Sequence, residues 1–500
     1  MLSIEEIKKF ISEDQDSEKK SKMAAGERYY EGNHDIKKYR IFYFDNDGNL
    51  VEDKTRSNVK IPHPFFTELV DQATQFILSG DEFITSNDPK LQKEMDERFN
   101  HNDDFLAELA DVITGTQTKG SEFMYAYKGK DDKTKFQCAD SLGVIEVRAK
   151  DTNDKADHLI WHYIDRVGKN HQAIMRIQVW DAEKTYYYVQ TDNGGIEKDT
   201  DAKINPKPHI IYQEGTDENV YYNGYGEIPF YRLDNNKKQL SSLNVVKPLI
   251  DDYDLMASSL SNNLIDFDHP VLVVKGFEGD NLDELMQNVK TKKLIGMEST
   301  DSDAGLDIKT VEIPYQARQA KLELDEKNIY RFGMGLNMAG LKDTSATTNI
   351  AIKAAYSLLE MRCKKLETRL KQFLRRIVSL VIKEINEAND TNYTIYDVKI
   401  KFEHEIMSNE QENAQNALTD AQRMQIVVNT LLSLADKLDD ETLMKNICDA
   451  LDIDYEEIKD KLPKEDENTP YMDQLAAQGA LDGVVTEDEP QREGSPSEGA

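Results

Sequence analysis

The stretch that most limits what this chain can become lies at residues 349–389. Leu359, Leu366, Leu370, Phe373, Ile377, Leu380, Val381 and Ile385 recur there at three- and four-residue intervals. Side chains so spaced share one face of an α-helix, so the stretch reads as a single helix about 60 Å long. A stripe of that length needs other elements to cover it.

Those elements can be placed from the rest of the sequence. Residues 3–30 read as one helix, with Ile4, Ile7, Phe10 and Ile11 on a face and Gly32 at its end. Asp47-Gly48 marks a hairpin between 39–44 and 50–51. Pro62 and Pro64 open a helix that carries Phe65, Leu69, Ala73, Phe76 and Ile77, and another helix is expected over 105–119. From 122 to 232 the pattern turns to aromatic and β-branched strands, with turns at Asn193-Gly194-Gly195 and Asn223-Gly224.

A helix over 240–267 follows, with Leu243, Val246, Leu249, Ile250, Tyr253, Met256, Leu260 and Leu264 on one face. Residues 270–314 read as a small αβ module: a strand at 271–274, a helix at 282–289 and a strand at 308–313. A helix over 315–332 leads into a glycine-rich polar loop, where Gly333, Gly335 and Gly340 supply conformational freedom. After the long helix come short strands at 393–402, polar helices over 409–462, and a tail from 463 with two basic and ten acidic residues that is expected to be disordered. The fold class is α+β, mainly helical.

At 500 residues the chain is long enough for two to four folded units. It has no apolar run of the length a bilayer requires, and its start has none of the features of a secretory signal, so a cytoplasmic life is expected. Cys138, Cys363 and Cys448 are odd in number and far apart, and are expected to be reduced and buried. With 62 basic and 94 acidic residues the net charge is −32. That balance speaks against wrapping nucleic acid by neutralising its phosphates, though it suits a wall past which DNA must slide.

Catalytic signatures are missing. The sequence holds no phosphate-binding loop, nucleophile elbow, zinc-protease helix or calcium loop. Asp131-Asp132, the run Asp251, Asp252 and Asp254, and the histidines His158, His162 and His171 are imaginable metal ligands. The three aspartates lie largely away from the leucines of their helix, which reads as a solvated face, and the histidines read as strand packing. No catalytic residue, metal or cofactor is expected. A nucleic-acid-processing enzyme with a carboxylate site, and a scaffold or adaptor without a tunnel, are the alternatives.

Several segments together resemble the portal proteins of tailed bacteriophages, in particular the siphophage type of Gram-positive hosts. They are Ala24-Ala-Gly-Glu-Arg-Tyr-Tyr-Glu-Gly-Asn-His-Asp-Ile36, Val59-Lys-Ile-Pro62, Leu78-Ser-Gly80, Glu227-Ile-Pro-Phe-Tyr-Arg-Leu-Asp-Asn-Asn236, and the run from Ser241 to Ser258. The run after Phe332 departs from the family pattern in lacking Val-Pro-Asp.

The resemblance implies a homo-oligomeric ring of about twelve subunits at one capsid vertex. It would pass double-stranded DNA without reading its sequence. Implied partners are the terminase packaging motor, major capsid and scaffolding proteins, and head-tail adaptor proteins, with no membrane; the place is the virion, and the host cytoplasm during assembly. Mapped onto this chain, the wing takes residues 1–239, a stem helix 240–269, the clip 270–314, a second stem helix 315–334, a tunnel loop 335–348, the spine helix and wing strands 349–408, the crown helices 409–462, and the acidic tail 463–500. Asn337, Lys342, Thr344, Ser345, Thr347 and Thr348 would touch the DNA backbone. Lys290, Lys292 and Lys293 would meet the motor. Between Lys342 and Arg376 nine basic and three acidic residues give a local excess of +6 (9 − 3), expected to face acidic surface on the next subunit.

Overall fold

In the computed structural model the N-terminal region is two helices, α1 (Ile4–Gln15) and α2 (Glu18–Tyr30), where the sequence predicts one. Ser17 makes the break: its extended backbone ends the first helix, and its hydroxyl accepts the Lys20 N–H at 3.2 Å to cap the second. The structure describes residues 2–129, 131–148, 156–167, 172–191, 194–213, 220–267, 271–275, 305–309, 314–337, 349–404, 410–433, 437 and 440–450.

The expected hairpin forms from β1 (Phe42–Phe44) and β2 (Leu50–Glu52), with Phe44 opposite Leu50. Asp45 organises its turn by accepting the N–H groups of Asp47 and Asn49, and Gly48 takes a positive φ of 79°. Then come α3 (Phe65–Ile77), β3 (Ile84–Ser86), α4 (Pro89–Met95) and α5 (Asp103–Lys119). β3 and α4 are too short to leave a periodic signal, although Asp88 caps α4 through the N–H groups of Lys90 and Leu91.

The strand-rich segment divides into antiparallel sheets. β4 (Ser121–Lys128) lies between β5 (Thr134–Ala139) and β14 (Phe230–Asp234). A larger sheet runs from β6 (Val144–Val147) through β7 (His158–Val167), β8 (Gln172–Trp180) and β9 (Lys184–Gln190) to β10 (Ile196–Lys198), with β11 (Lys207–Pro208) also on β9. β12 (Ile210–Gln213) pairs with β13 (Val220–Asn223). His162 is buried within β7, as strand packing predicts; His171 lies outside the described residues.

Helix α6 (Leu243–Phe267) precedes β15 (Val271–Lys275), and β16 (Gly305–Lys309) precedes α7 (Tyr315–Gly333). β15 and β16 pair antiparallel, Leu272 with Ile308 and Val274 with Leu306. The second strand begins earlier than its β-branched residues suggest, because β15 offers five positions to pair with and these run back to Gly305. The helix expected at 282–289, with Lys290, Lys292 and Lys293, lies outside the described residues. The long helix is α8 (Asn349–Asn389); the short strands expected at 393–402 reduce to a 3₁₀ turn and β17 (Val398–Ile400), which pairs with β3.

The α8 stripe is the core. Leu359, Leu366, Leu370, Phe373, Ile377, Leu380, Val381 and Ile385 are all buried, covered by α3, α5, β4 and β5. Glu384 ties the same helix to the sheet: it accepts from Lys128 at 2.6 Å, from Arg98 at 2.8 Å, and from the hydroxyl of Thr134. A second cluster joins Tyr29, Phe66, Leu69 and Val70 to Leu243, Val246 and Ile250 of α6 and to Ile329 and Tyr330 of α7. A third packs Ile7 and Ile11 of α1 on the larger sheet. Where α2 crosses α5, Gly26 lies so close that an added Cβ would overlap the Thr118 carbonyl.

Contacts divide the chain into residues 1–346 with 350–407, and residues 347–349 with 408–500. In the second unit α9 (Glu410–Leu432) precedes α10 (Asp440–Ala450), which buries Leu443 and Cys448. The tail from 463 lies outside the described residues. Cys363 is also buried, but Cys138 is only half-buried because it lies on β5 at the end of the three-stranded sheet.

Candidate functional site

The chain leaves α7 through a moored exit. Gly333 is the last helical residue, and the left-handed residue that closes the helix is Met334, with φ 54°. The N–H of Gly335 reaches back to the Tyr330 carbonyl at 2.9 Å. Neither Gly333 nor Gly335 has a positive φ. Both are glycine for a different reason: a Cβ on either would overlap the Leu69 side chain. The flexibility expected of these two positions is therefore corrected to close packing, and Gly340 lies outside the described residues.

The next residue is held harder still. Leu336 is buried in the main core, its N–H donates to Gln72 Oε1 at 2.9 Å, and its carbonyl accepts from Gln72 Nε2 at 2.9 Å. Asn337, the first of the expected DNA-contact residues, donates to Glu326 at 3.3 Å. Lys342, Thr344, Ser345, Thr347 and Thr348 lie outside the described residues.

Arg362 of α8 completes the mooring. One guanidinium nitrogen donates to the carbonyls of Leu69 and Gly333 at 2.9 and 3.2 Å, and the other to Gln117 Oε1 at 2.7 Å. Burial pushes this guanidinium down to about 10, and among the described residues no carboxylate accepts from it. One member of the basic excess of α8 is thus turned inward, Arg362, which binds its own chain; Arg376 lies over the Tyr231 ring at 5.4 Å but stays exposed.

A second polar cluster sits where α2, the segment 57–63 and α6 meet. Asp254, expected on a solvated face, is fully enclosed. Its Oδ2 lies 2.6 Å from His34 Nδ1, and its Oδ1 accepts the His63 N–H at 2.9 Å and faces His63 Nδ1 at 2.9 Å. Burial alone raises this carboxyl, but the hydrogen bonds from His34 and His63 outweigh it and hold it below the ordinary range. His34 Nε2 faces the Tyr29 carbonyl at 3.2 Å; a carbonyl only accepts, so that nitrogen carries a proton.

The Tyr29 ring stacks on His34 with centroids 4.5 Å apart, and its hydroxyl donates to Asp251. Lys247 bridges Asp251 and Asp35 at 2.6 and 2.7 Å, and Arg28 also reaches Asp35 at 2.7 Å. Burial raises Asp35, yet Lys247 and Arg28 more than offset it and leave that carboxyl well below the usual range.

From Asp254 the contact continues along α6 as a row. Asp254, Ser258, Asn262 and Asp266 accept the N–H groups of His63, Ile61, Val59 and Ser57 at 2.9, 3.1, 2.6 and 3.1 Å. Four helical residues advance about 6 Å, and two extended residues about 6.6 Å. The two repeats match, so one face of a helix satisfies every second N–H of an extended strap. The signal was present in the sequence as short polar residues at 254, 258, 262 and 266, but such residues on a helix usually face water.

These clusters hold the backbone; they leave no room for a substrate at Asp254 or His34, whose side chains have no solvent exposure. Among the described residues no group of three or more His, Cys, Asp or Glu is arranged to hold a metal, and no helix is long and apolar enough to cross a membrane.

Three of the five segments that carry the family resemblance converge here: 24–36 supplies Arg28, Tyr29, His34 and Asp35, 59–62 supplies the strap, and 241–258 supplies Lys247, Asp251, Asp254 and Ser258. The family described as "Phage portal protein, SPP1 Gp6-like" matches residues 9–470. The portal protein of Bacillus phage SPP1 is 26% identical over 357 residues, which cover 71% of this chain and 68% of that protein. The portal protein of Clostridium phage phiCD119 is 23% identical over 438 residues, 83% of this chain and 89% of that protein. Both names point to phages of Gram-positive hosts, as the resemblance implies. The chain belongs to the SPP1-like family of phage portal proteins, and its role in the bacteriophage particle is that of a portal protein.

Proposed function

We propose that the chain closes into a ring of about twelve subunits at one capsid vertex, the conduit through which double-stranded DNA is packaged and ejected. In this reading residues 1–239 with 349–408 form the wing and spine, α6 and α7 the stem, 270–314 the clip, 335–348 the tunnel loop, 409–462 the crown, and 463–500 an acidic tail. The terminase motor docks on the clip through Lys290, Lys292 and Lys293, and head-tail adaptors take its place later. Capsid and scaffolding proteins surround the wing. The chain contributes no catalytic residue and needs no cofactor.

One observation carries the reading. α6 and α7 lie side by side in opposite directions, Lys321 meeting Asp252 and Gly333 approaching Val246, with the β15–β16 pair at one end and the moored exit at Leu336 at the other. A pair of antiparallel helices with a strand pair at one end and an exit fixed by Gln72 and Arg362 at the other supports a stem that carries a clip and a tunnel loop. Lys342 then approaches phosphate, and Thr344, Ser345, Thr347 and Thr348 offer hydrogen bonds that read no base.

Three variants test this. Lys342→Glu and, separately, removal of residues 340–345 should each leave rings intact and lower DNA packaging or retention, and charge reversal at Lys290, Lys292 and Lys293 should leave rings intact and weaken motor docking. Normal genome filling and retention in all three would overturn the assignment of loop and clip.

A further inference from the structure

Two helices of the first unit each keep one sign of charge along their outer face. On α8, Lys365, Arg369, Gln372, Arg376 and Lys383 follow one another at steps of three, four and seven residues, so they share one side of the helix. Arg369 is half-buried and the other four are exposed. The one acidic residue between 361 and 383, Glu367, is buried. Among the described residues no carboxylate pairs with Lys365, Arg369, Arg376 or Lys383. Arg369 and Arg376 do open into a cleft with Glu146, Glu227 and Asp234. Two of those carboxylates, however, already pair with Arg232, and Glu227 accepts from the Tyr231 hydroxyl at 3.3 Å.

The outer face of α5 has the opposite sign. Asp104, Ala107 and Asp111 are exposed there and Glu108 is half-buried, while Leu109, Val112 and Ile113 turn inward. Glu108 accepts the Cys138 N–H at 2.6 Å, and among the described residues no lysine or arginine pairs with Asp104, Glu108 or Asp111. The nearby cations are taken: Lys93 and Lys133 pair with Glu97, and Lys135 with Asp131. Asp71 of α3 extends the face, since it accepts the Tyr30 hydroxyl at 2.8 Å, and burial together with Asp71 and Asp111 raises that hydroxyl.

The two rows match in spacing but do not meet within one chain. Arg369 to Arg376 and Asp104 to Asp111 are each seven residues, two helical turns or about 10.5 Å. An uncharged residue, Gln372 or Ala107, stands at the third step of each. Both helices bury their apolar stripes in the same core, Leu109, Val112 and Ile113 with Leu370, Phe373 and Ile377. Their outer faces therefore turn away from it. A ring is built from head-to-tail contacts between two different patches of one chain, and rows of opposite charge on neighbouring helices select partner and register. DNA is a poorer match, because its phosphates answer the α8 row and leave the α5 row without a cation.

We propose that the α8 face carrying Arg369 and Arg376 docks on the α5 face carrying Asp104 and Asp111 of a second copy of this chain. The inference rests on the ring reading and names the two surfaces that join neighbours. It gives the basic excess of α8 a defined acidic partner.

The test uses the full chain and sedimentation. Arg369→Glu with Arg376→Glu makes both faces acidic; Asp104→Lys with Asp111→Lys makes both basic. Each pair alone should keep the wild-type circular dichroism and raise the concentration needed for assembly by about tenfold or more. An equimolar mixture of the two variants again sets opposite faces against each other, and should assemble near the wild-type concentration. A conservative change gives a second readout: in Arg376→Lys protein, carbodiimide, which links only touching amines and carboxylates, should join position 376 of one chain to Asp104 or Asp111 of another. Variants that assemble alone as well as wild type, or folded variants that stay apart when mixed, would overturn the docking surface and leave the ring reading standing. So would an arginine variant that assembles normally but no longer retains a short DNA duplex, which would assign the α8 face to DNA. Wild-type protein that stays monomeric at every concentration would overturn both.

Discussion

The side-chain amide of Gln72 grips the backbone of Leu336 with two hydrogen bonds of 2.9 Å, one donated and one accepted, as a neighbouring β-strand would. Asn262 does the same to Val59, accepting its N–H at 2.6 Å and donating to its carbonyl at 3.2 Å. In each case an amide on a helix fixes one residue of a chain that leaves regular structure. Gln72→Ala should therefore cost about 1–3 kcal/mol, the penalty for stranding part-buried backbone groups. Gln72→Glu keeps the acceptor but turns a carboxylate oxygen toward the Leu336 carbonyl and the Glu68 carboxylate, both of which accept from the Gln72 amide, so its loss should be at least as large. Urea unfolding of the two variants gives the order, and early amide exchange at Leu336 gives the location.

Asp254 sets a pH dependence. Its folded carboxyl is held below the unfolded value, so the stability it contributes is present above that unfolded value, near 3.8, and is lost as pH falls through the lower folded one. Asp254→Ala should destabilise by about 3–5 kcal/mol at neutral pH, because it leaves His34 buried without its carboxylate. The gap between wild type and variant should be flat above about pH 5 and narrow below it. Melting temperatures of both proteins across pH 2.5–8 measure it; a gap that widens toward acid would contradict the assignment.

Gly335→Ala separates packing from flexibility. If the glycine served only to free the loop, alanine would be neutral or mildly stabilising. Here its Cβ overlaps Leu69, so repacking should cost about 1–3 kcal/mol. Leu69→Ala in the same chain should restore part of that loss relative to Leu69→Ala alone, a coupling read by a double-mutant cycle.

Long-range periodicity was legible in the sequence, and short-range polar geometry was not. The α8 stripe, the hairpin at Asp47-Gly48 and the helix over 315–332 appear where spacing and turn residues put them, because each is dictated by residues within a few turns of one another. The break at Ser17 was hidden, since apolar spacing carries across a serine whose capping role shows only in its backbone angles. Asp254 was misread for a deeper reason: a carboxylate on a helix is a solvated face unless something distant in sequence supplies donors, and His34 and His63 are 220 and 191 residues away. Gly333 and Gly335 looked like hinges because nothing local names Leu69 as their neighbour. The family, by contrast, was readable from five segments, three of which the fold gathers at one place.

Native mass spectrometry of the purified full chain, with negative-stain images viewed down the particle axis, tests the central claim most directly. The account predicts a closed ring with a central opening and a mass many times the 57.3 kDa of one chain. A monomer at every concentration, or one that cleaves DNA when given Mg²⁺, would contradict it.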